Sequence, residues 1–166
     1  MAKRLITTCV VLGVILSLTI LMASCGKSEL DKISEQINID VTNGEISESS
    51  DSHGGFLGDG LYFESISFDD DTILERISAN PQWKALPLDR TTEILVYGIN
   101  NKDTGAGPYI TQDNEAIFPL VENGYYLLID RQENQTTDML DRESLNITVA
   151  LYDADTNILY YCELDT

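Results

Sequence analysis

The stretch Leu145-Asn146-Ile147-Thr148-Val149-Ala150-Leu151-Tyr152-Asp153-Ala154-Asp155-Thr156-Asn157-Ile158-Leu159-Tyr160-Tyr161-Cys162-Glu163-Leu164 carries the clearest structural signal in the chain. Leu145, Ile147, Val149 and Leu151 alternate with Asn146, Thr148, Ala150 and Tyr152, and Ile158, Tyr160, Cys162 and Leu164 alternate on the return. A period of two is the period of a strand, and the Asp and Asn residues between the runs are turn formers that bond to their own backbone. The stretch predicts a long antiparallel hairpin over 145–152 and 158–164, with the two odd and even apolar rows on one core face.

Working outward, 61–68 reads as a strand with Tyr62, Ile66 and Phe68 on one face. Asp69-Asp70-Asp71 supplies an N-cap and acidic first turn for a helix over 71–79, with Ile73, Leu74 and Ile77 as its apolar stripe and Asn80-Pro81 as its stop. Trp83, Leu86 and Leu88 are expected to pack the next loop onto the body, 93–97 reads as a strand ending at Gly98, and 125–129 as another. Pro119 argues against a regular helix over 115–121. The class that fits is α+β: a small, mostly antiparallel sheet with one short helix and a C-terminal β-hairpin.

The chain has 166 residues, and none of its 8 Tyr, 4 Phe and 1 Trp precedes Phe56, so core-building material is concentrated in the last two thirds. One small domain fits that distribution. With 10 Lys and Arg against 28 Asp and Glu the formal charge is -18, a field that repels nucleic acid and anionic lipid. Sequence-independent nucleic-acid binding is therefore excluded, while cation binding and a basic protein partner remain open.

Lys3 and Arg4 precede 19 uncharged positions, 5–23, rich in Leu, Ile and Val. Such a segment reads as an export signal. Its end, Leu21-Met22-Ala23-Ser24-Cys25, resembles the lipobox of bacterial lipoproteins, with Met22 where that pattern prefers Leu. The resemblance implies cleavage before Cys25, a thioether lipid on its thiol and a chain anchored by lipid to the outer face of the cell membrane. An uncleaved span is the competing arrangement, since the segment is just long enough to cross a bilayer. Loss of 1–24 removes two cations and no acid, taking the formal charge to -20.

The expected organisation is a lipoprotein signal over 1–24, lipidated Cys25 with an acidic flexible tether over 25–52, and one globular domain over 53–166. Within the tether, Leu30, Ile33 and Ile37 have helical spacing, while Ile37, Ile39 and Val41 alternate before Asn43-Gly44. The expectation here is a short edge strand at 36–42.

Few residues suggest chemistry. His53-Gly54-Gly55-Phe56-Leu57-Gly58-Asp59-Gly60 holds the single histidine of the chain and four of its 11 glycines. Its functional reading is a loop in which Gly54 and Gly55 amides form an anion nest and His53 pairs with Asp59; its bland reading is a glycine-rich lead-in to the first strand. With one histidine and no Gly-x-Ser-x-Gly motif, a catalytic triad has no basis. Asp153-x-Asp155-x-Asn157 copies three positions of a calcium loop, but Ile158 and Leu164 stand where that loop needs Gly and Glu. No metal and no cofactor is expected. Alternation sends Tyr160 and Tyr161 to opposite faces, so one of them is a candidate contact for a partner unless both faces are covered. Cys162 is expected to be a small buried hydrophobe.

The runs His53-Gly54-Gly55-Phe56, Gly58-Asp59-Gly60, Trp83-Lys84-x-Leu86-Pro87-Leu88, Val96-Tyr97-Gly98 and Leu159-Tyr160-Tyr161-Cys162-x-Leu164-Asp165-Thr166 are similar to small lipoproteins of Gram-positive gut anaerobes, a family that carries no assigned activity. The functional expectation is a membrane-anchored, non-catalytic binding or accessory domain for an envelope protein or glycan. The alternative is a small envelope hydrolase or cation-dependent enzyme using the His53/Asp59 loop.

Overall fold

The computed structural model describes residues 27–54, 58–101, 104–133 and 137–166. Strands Glu45–Asp51 (β1), Gly60–Ser67 (β2), Lys84–Ala85 (β3), Gly124–Asp130 (β8), Asn146–Asp153 (β9) and Ile158–Asp165 (β10) form one antiparallel sheet in the order β1-β2-β10-β9-β8-β3. Two ribbons stand apart from it: Ile99–Asn101 (β4) with Thr104–Ala106 (β5), and Thr111–Gln112 (β6) with Glu115–Ala116 (β7). The α+β class and the antiparallel sheet are as the sequence reads. The single helix is not: the described residues hold three, Glu29–Ile37 (α1), Thr72–Ala79 (α2) and Arg90–Val96 (α3). None is long and apolar enough to cross a membrane.

The β9–β10 hairpin sets the register of everything else. Ile147 faces Leu164, Val149 faces Cys162 and Leu151 faces Tyr160, so both apolar rows enter the same core. Fully burying each aliphatic side chain of this kind stabilises the fold by about 1.5–3 kcal/mol. Asn157 fixes the turn to the rest of the molecule: its side-chain NH2 donates to Phe68 O (2.9 Å) and Asp70 O (2.8 Å), and its Oδ1 accepts from the Tyr152 hydroxyl (2.7 Å). Asp153 is likewise engaged, accepting from Asp155 N (2.9 Å) and the Thr156 hydroxyl (2.8 Å), while Asp155 accepts from Asn123 (2.7 Å). The acidic turn uses its side chains to close itself.

The segment 27–52, expected as a tether, is built into the body. Ser28 and Asp31 form a reciprocal capping box at the start of α1, and Ile33 and Ile37 are buried on its inner face. Helical spacing plus a cap outweighs the alternation of Ile37, Ile39 and Val41, so the edge strand expected at 36–42 is corrected to the end of a helix and a turn. Asn38, in the left-handed region (φ 53), stops the helix; Ile39 and Val41 still point inward and are buried. The edge strand next to β2 is β1, a segment with a register shift between Ile46 and Glu48.

α2 forms where expected, although Asp70 rather than Asp71 supplies the side-chain cap, its Oδ1 accepting from Thr72 N (3.0 Å). Trp83 donates its indole N–H to Ile37 O (3.3 Å), and Asn80 donates to Asn38 O (3.0 Å), tying the ends of α1 and α2 together. The strand expected at 93–97 is corrected to α3. A four-residue apolar run cannot tell strand from helix by periodicity. The flanks decide: Asp89 accepts from Thr92 N (2.9 Å) as N-cap, and Gly98 takes φ +70 just beyond the end, where a Cβ would meet Pro108 N at 2.5 Å.

Both faces of the sheet are covered. One carries Ile66, Tyr152, Leu159 and Tyr161 under α1 and α2; the other carries Leu61, Phe63, Val149 and Cys162 with Leu95, Val96, Ile110 and Phe118.

Candidate functional site

Beside α1 and the ends of β2 and β10 lies a concavity of about 360 Å³. The helix contributes Glu29, Lys32 and Gln36, β1 contributes Asp51, and Tyr62, Tyr161 and Glu163 come from β2 and β10. Sheet alternation puts Tyr62 and Glu64 on the same face of β2, and Tyr161 and Glu163 adjacent on β10; each tyrosine hydroxyl donates to the glutamate two residues on. The Tyr62 and Tyr161 rings meet edge to face, with centroids 6.1 Å apart. Burial and the neighbouring carboxylates push both phenols well above their ordinary range, so both stay protonated donors.

Glu64 is the unusual member. It is fully buried, its Oε1 accepts from Tyr62 and from Ser49 (3.3 Å), and its Oε2 has no partner among the described residues. Burial raises its carboxyl above the usual glutamate value and the charge of Glu29 adds to that, against the lowering effect of the two hydroxyls.

His53 closes the rim. Its backbone N–H donates to Asp51 Oδ1 (2.9 Å), its Nδ1 lies 2.7 Å from the same oxygen, and its Nε2 lies 3.2 Å from Asp165 Oδ2. Burial works against a charged ring, but the hydrogen bonds and charges of Asp51 and Asp165 outweigh it and hold the imidazole above its ordinary value. Asp165 also pairs with Arg131 (2.9 Å), whose guanidinium donates to Ile147 O (3.0 Å). A charged relay therefore runs Asp51–His53–Asp165–Arg131 across the ends of three strands.

The expected partner of His53 is corrected. Asp59 reaches the loop only through its carbonyl, which accepts from Gly54 N (3.4 Å); its carboxylate is exposed beside a separate depression lined also by Arg131 and Asp165. Gly54 is exposed, where a Cβ would make only ordinary contact with Ser52 O (3.9 Å), and Gly60 is the tightly packed glycine, where a Cβ would stand 2.4 Å from His53 Cα. Gly55 and Cys25 lie outside the described residues. Neither tyrosine proposed as a contact is a free platform: Tyr161 is 1% exposed, and Tyr160 is half-buried and stacked on Phe63. Cys162 is fully buried on the opposite face, where burial pushes its thiol far up, so it is no nucleophile.

Sequence reading missed Glu64, Asp51, Arg131 and Asp165. Glu64 was visible in principle, because it stands between Tyr62 and Ile66 on the inward row of a strand. The arrangement suits recognition: carboxylates in excess over one lysine, two fixed phenols and a histidine already held on both nitrogens. The chain matches no family model, no curated protein and no solved structure.

Proposed function

We propose that this chain is an extracytoplasmic lipoprotein, anchored through lipid on Cys25 to the outer face of the cell membrane, whose folded part is a non-catalytic binding or accessory domain for a protein or glycan of the envelope. The observation that carries the binding reading is the acidic concavity under α1, in which Glu29, Asp51 and Glu163 face a space whose lining has Lys32 and the Asp51-paired His53 as its basic groups. Such a site favours a ligand bearing ammonium, guanidinium or hydroxyl groups. The hydrolase alternative loses support, since His53 and Asp59 do not meet side chain to side chain and His53 is committed to Asp51 and Asp165.

The position of α1 changes what the anchor does. Ser28 caps the helix three residues after Cys25, a link that spans at most about 10 Å. In this reading the body is held by a short link rather than by a long tether, and the start of α1 is the part of it nearest the lipid.

Two measurements test the proposal. A labelled palmitate analogue should enter the wild-type chain and fail to enter Cys25→Ser; incorporation into both overturns the anchor. Envelope protein and glycan fractions presented to the immobilised chain should be retained at low salt, and retention should fall in high salt and in Glu29→Gln/Glu163→Gln. Equal retention by that double variant and the wild type overturns the concavity as the binding site.

A further inference from the structure

The two edges of the sheet end differently. On one side β8 is paired at Tyr125 and Tyr126 by β3, and beyond that the Arg142–Asp130 ion pair (2.8 Å), with side chains only 9% and 16% exposed, lies against the end of the strand. On the other side β1 pairs with β2 alone, and no strand among the described residues lies beyond it. We propose that the outer edge of β1 is a docking strand, to which an extended lysine- or arginine-bearing segment of a partner protein adds as a seventh strand. This rests on the binding-domain reading above and deepens it, choosing protein over glycan and naming a second surface next to the concavity.

The backbone supplies the hydrogen bonds. Ser52 N–H donates to Leu61 O (2.9 Å), which fixes that residue as facing β2. Alternation along an antiparallel strand then turns the N–H and C=O of Ser49 and Asp51 away from β2 and out of the sheet. Five of the seven β1 positions are exposed, and Ser47, Ser49 and Ser50 are too small to shield the main chain. An edge with free main-chain groups is the template that strand-adding partners use.

Charge decides which strand can dock. β1 carries Glu45, Glu48 and Asp51, and no Lys or Arg occurs from 33 to 75. A second copy of the same edge would set carboxylates against carboxylates, which is destabilising across a strand pair, while a basic strand gains at each of those positions. The register shift between Ile46 and Glu48 breaks the flat run there and leaves Glu48 to Asp51 as the regular docking length. The partner is thus a short cationic segment rather than a second copy of this chain.

The test uses the full chain and an eight-residue fluorescent peptide of alternating lysine and threonine, with a copy N-methylated at every backbone amide. The charge of the two peptides is the same and only the first can donate main-chain hydrogen bonds. One-to-one binding of the first, at least about tenfold weaker binding of the second, and slowed amide exchange at Ser49 and Asp51 support the proposal. Ser49→Pro, which removes an outward N–H and leaves the main-chain bonds to β2 in place, losing only the Ser49 hydroxyl's bond to Glu64, should abolish the difference between peptides while its unfolding midpoint shows that it folds. Equal affinity for both peptides, absence of binding, or protection confined to α1 overturns it. Should Ser49→Pro not fold, the exchange pattern of the unaltered chain decides alone. Because Glu29→Gln/Glu163→Gln tests the concavity separately, loss of the edge effect with retention still sensitive to that variant removes the docking strand and leaves the binding domain.

Discussion

The two faces of the central sheet are buried by different means. Beneath α3 and the loop to Val121, the strands present Leu61, Phe63, Ile147, Val149, Cys162 and Leu164, an apolar surface. Beneath α1 and α2 the same strands present Ile66, Leu159 and Tyr152, but toward their other ends also Glu64, Thr148 and Tyr161, with Gln36 of α1 donating to the Thr148 hydroxyl (3.1 Å). A polar layer under a helix adds less stability than hydrocarbon, since each desolvated group must first be matched by a partner. Apolar clusters on both faces hold the fold, and the α1 end of its face adds the polar groups that a ligand can read.

The largest break in this contrast comes from putting a charge where none belongs. Cys162→Asp places a carboxylate on the apolar face, fully buried and opposite Val149, and should cost about 4 kcal/mol or prevent folding. Urea unfolding measures it, and an unchanged midpoint would show that the apolar face tolerates charge as the other does.

Next in size is Ile37→Ala, which removes side-chain volume from a fully buried position under the Trp83 indole contact and should cost about 3 kcal/mol. The value matters because a true tether would give a change near zero. A loss of that size, with the transition remaining single, places α1 within the same cooperative unit as the sheet.

What the sequence discloses follows the same division. The hairpin is legible because strict alternation repeats over both of its strands, α2 because an apolar helical stripe follows acidic N-terminal residues, and β2 and β8 because short runs rich in aromatic and aliphatic residues are bounded by polar or glycine-containing segments. α1 and β1 escape because one buries only Ile33 and Ile37 and the other is an exposed edge with no apolar row. Their composition is that of a spacer. α3 escapes because its apolar run is short and its identity sits in Asp89 and Gly98. In the candidate site, Asp51 lies two residues from His53 and is within reach of local reading. Asp165 lies 112 residues away, and only the β2–β10 register, which pairs it with Gly60, brings it to the ring.

A smaller effect of opposite sign is expected at Glu64. Its folded pKa is raised, so the folded state binds its proton more tightly than the unfolded chain does. The contribution is most favourable below the ordinary glutamate value and is lost as pH rises through the raised one, leaving a cost at neutral pH. Glu64→Gln keeps the acceptor for Tyr62 and removes the charge, so it should stabilise the protein by about 1 kcal/mol at neutral pH and make its stability less dependent on pH. Urea midpoints compared at acid and neutral pH check this. Destabilisation of the variant at neutral pH would mean that the carboxylate is wanted there as a charge.

The smallest effect belongs to His53, and it separates the relay found from the pair expected. Asp51 and Asp165 hold the ring above its ordinary pKa of 6.5 despite burial, so the charged form is favoured by folding. For a raised histidine that stability is fully present below 6.5 and disappears as pH rises through the folded value. The Asp51 side chain is more than half exposed, and solvent screening limits the whole contribution to less than about 1 kcal/mol. His53→Gln should therefore unfold at lower urea than the wild type near pH 5.5 and match it near pH 8.5, and Asp165→Asn should share the loss at the acid end. Asp59→Asn should leave both midpoints where they are, because its carboxylate is not in contact with the ring. An equal penalty for His53→Gln at both pH values would assign the residue to packing over Gly60, whose Cα approaches the His53 backbone too closely for any side chain, and would take the charge out of the relay.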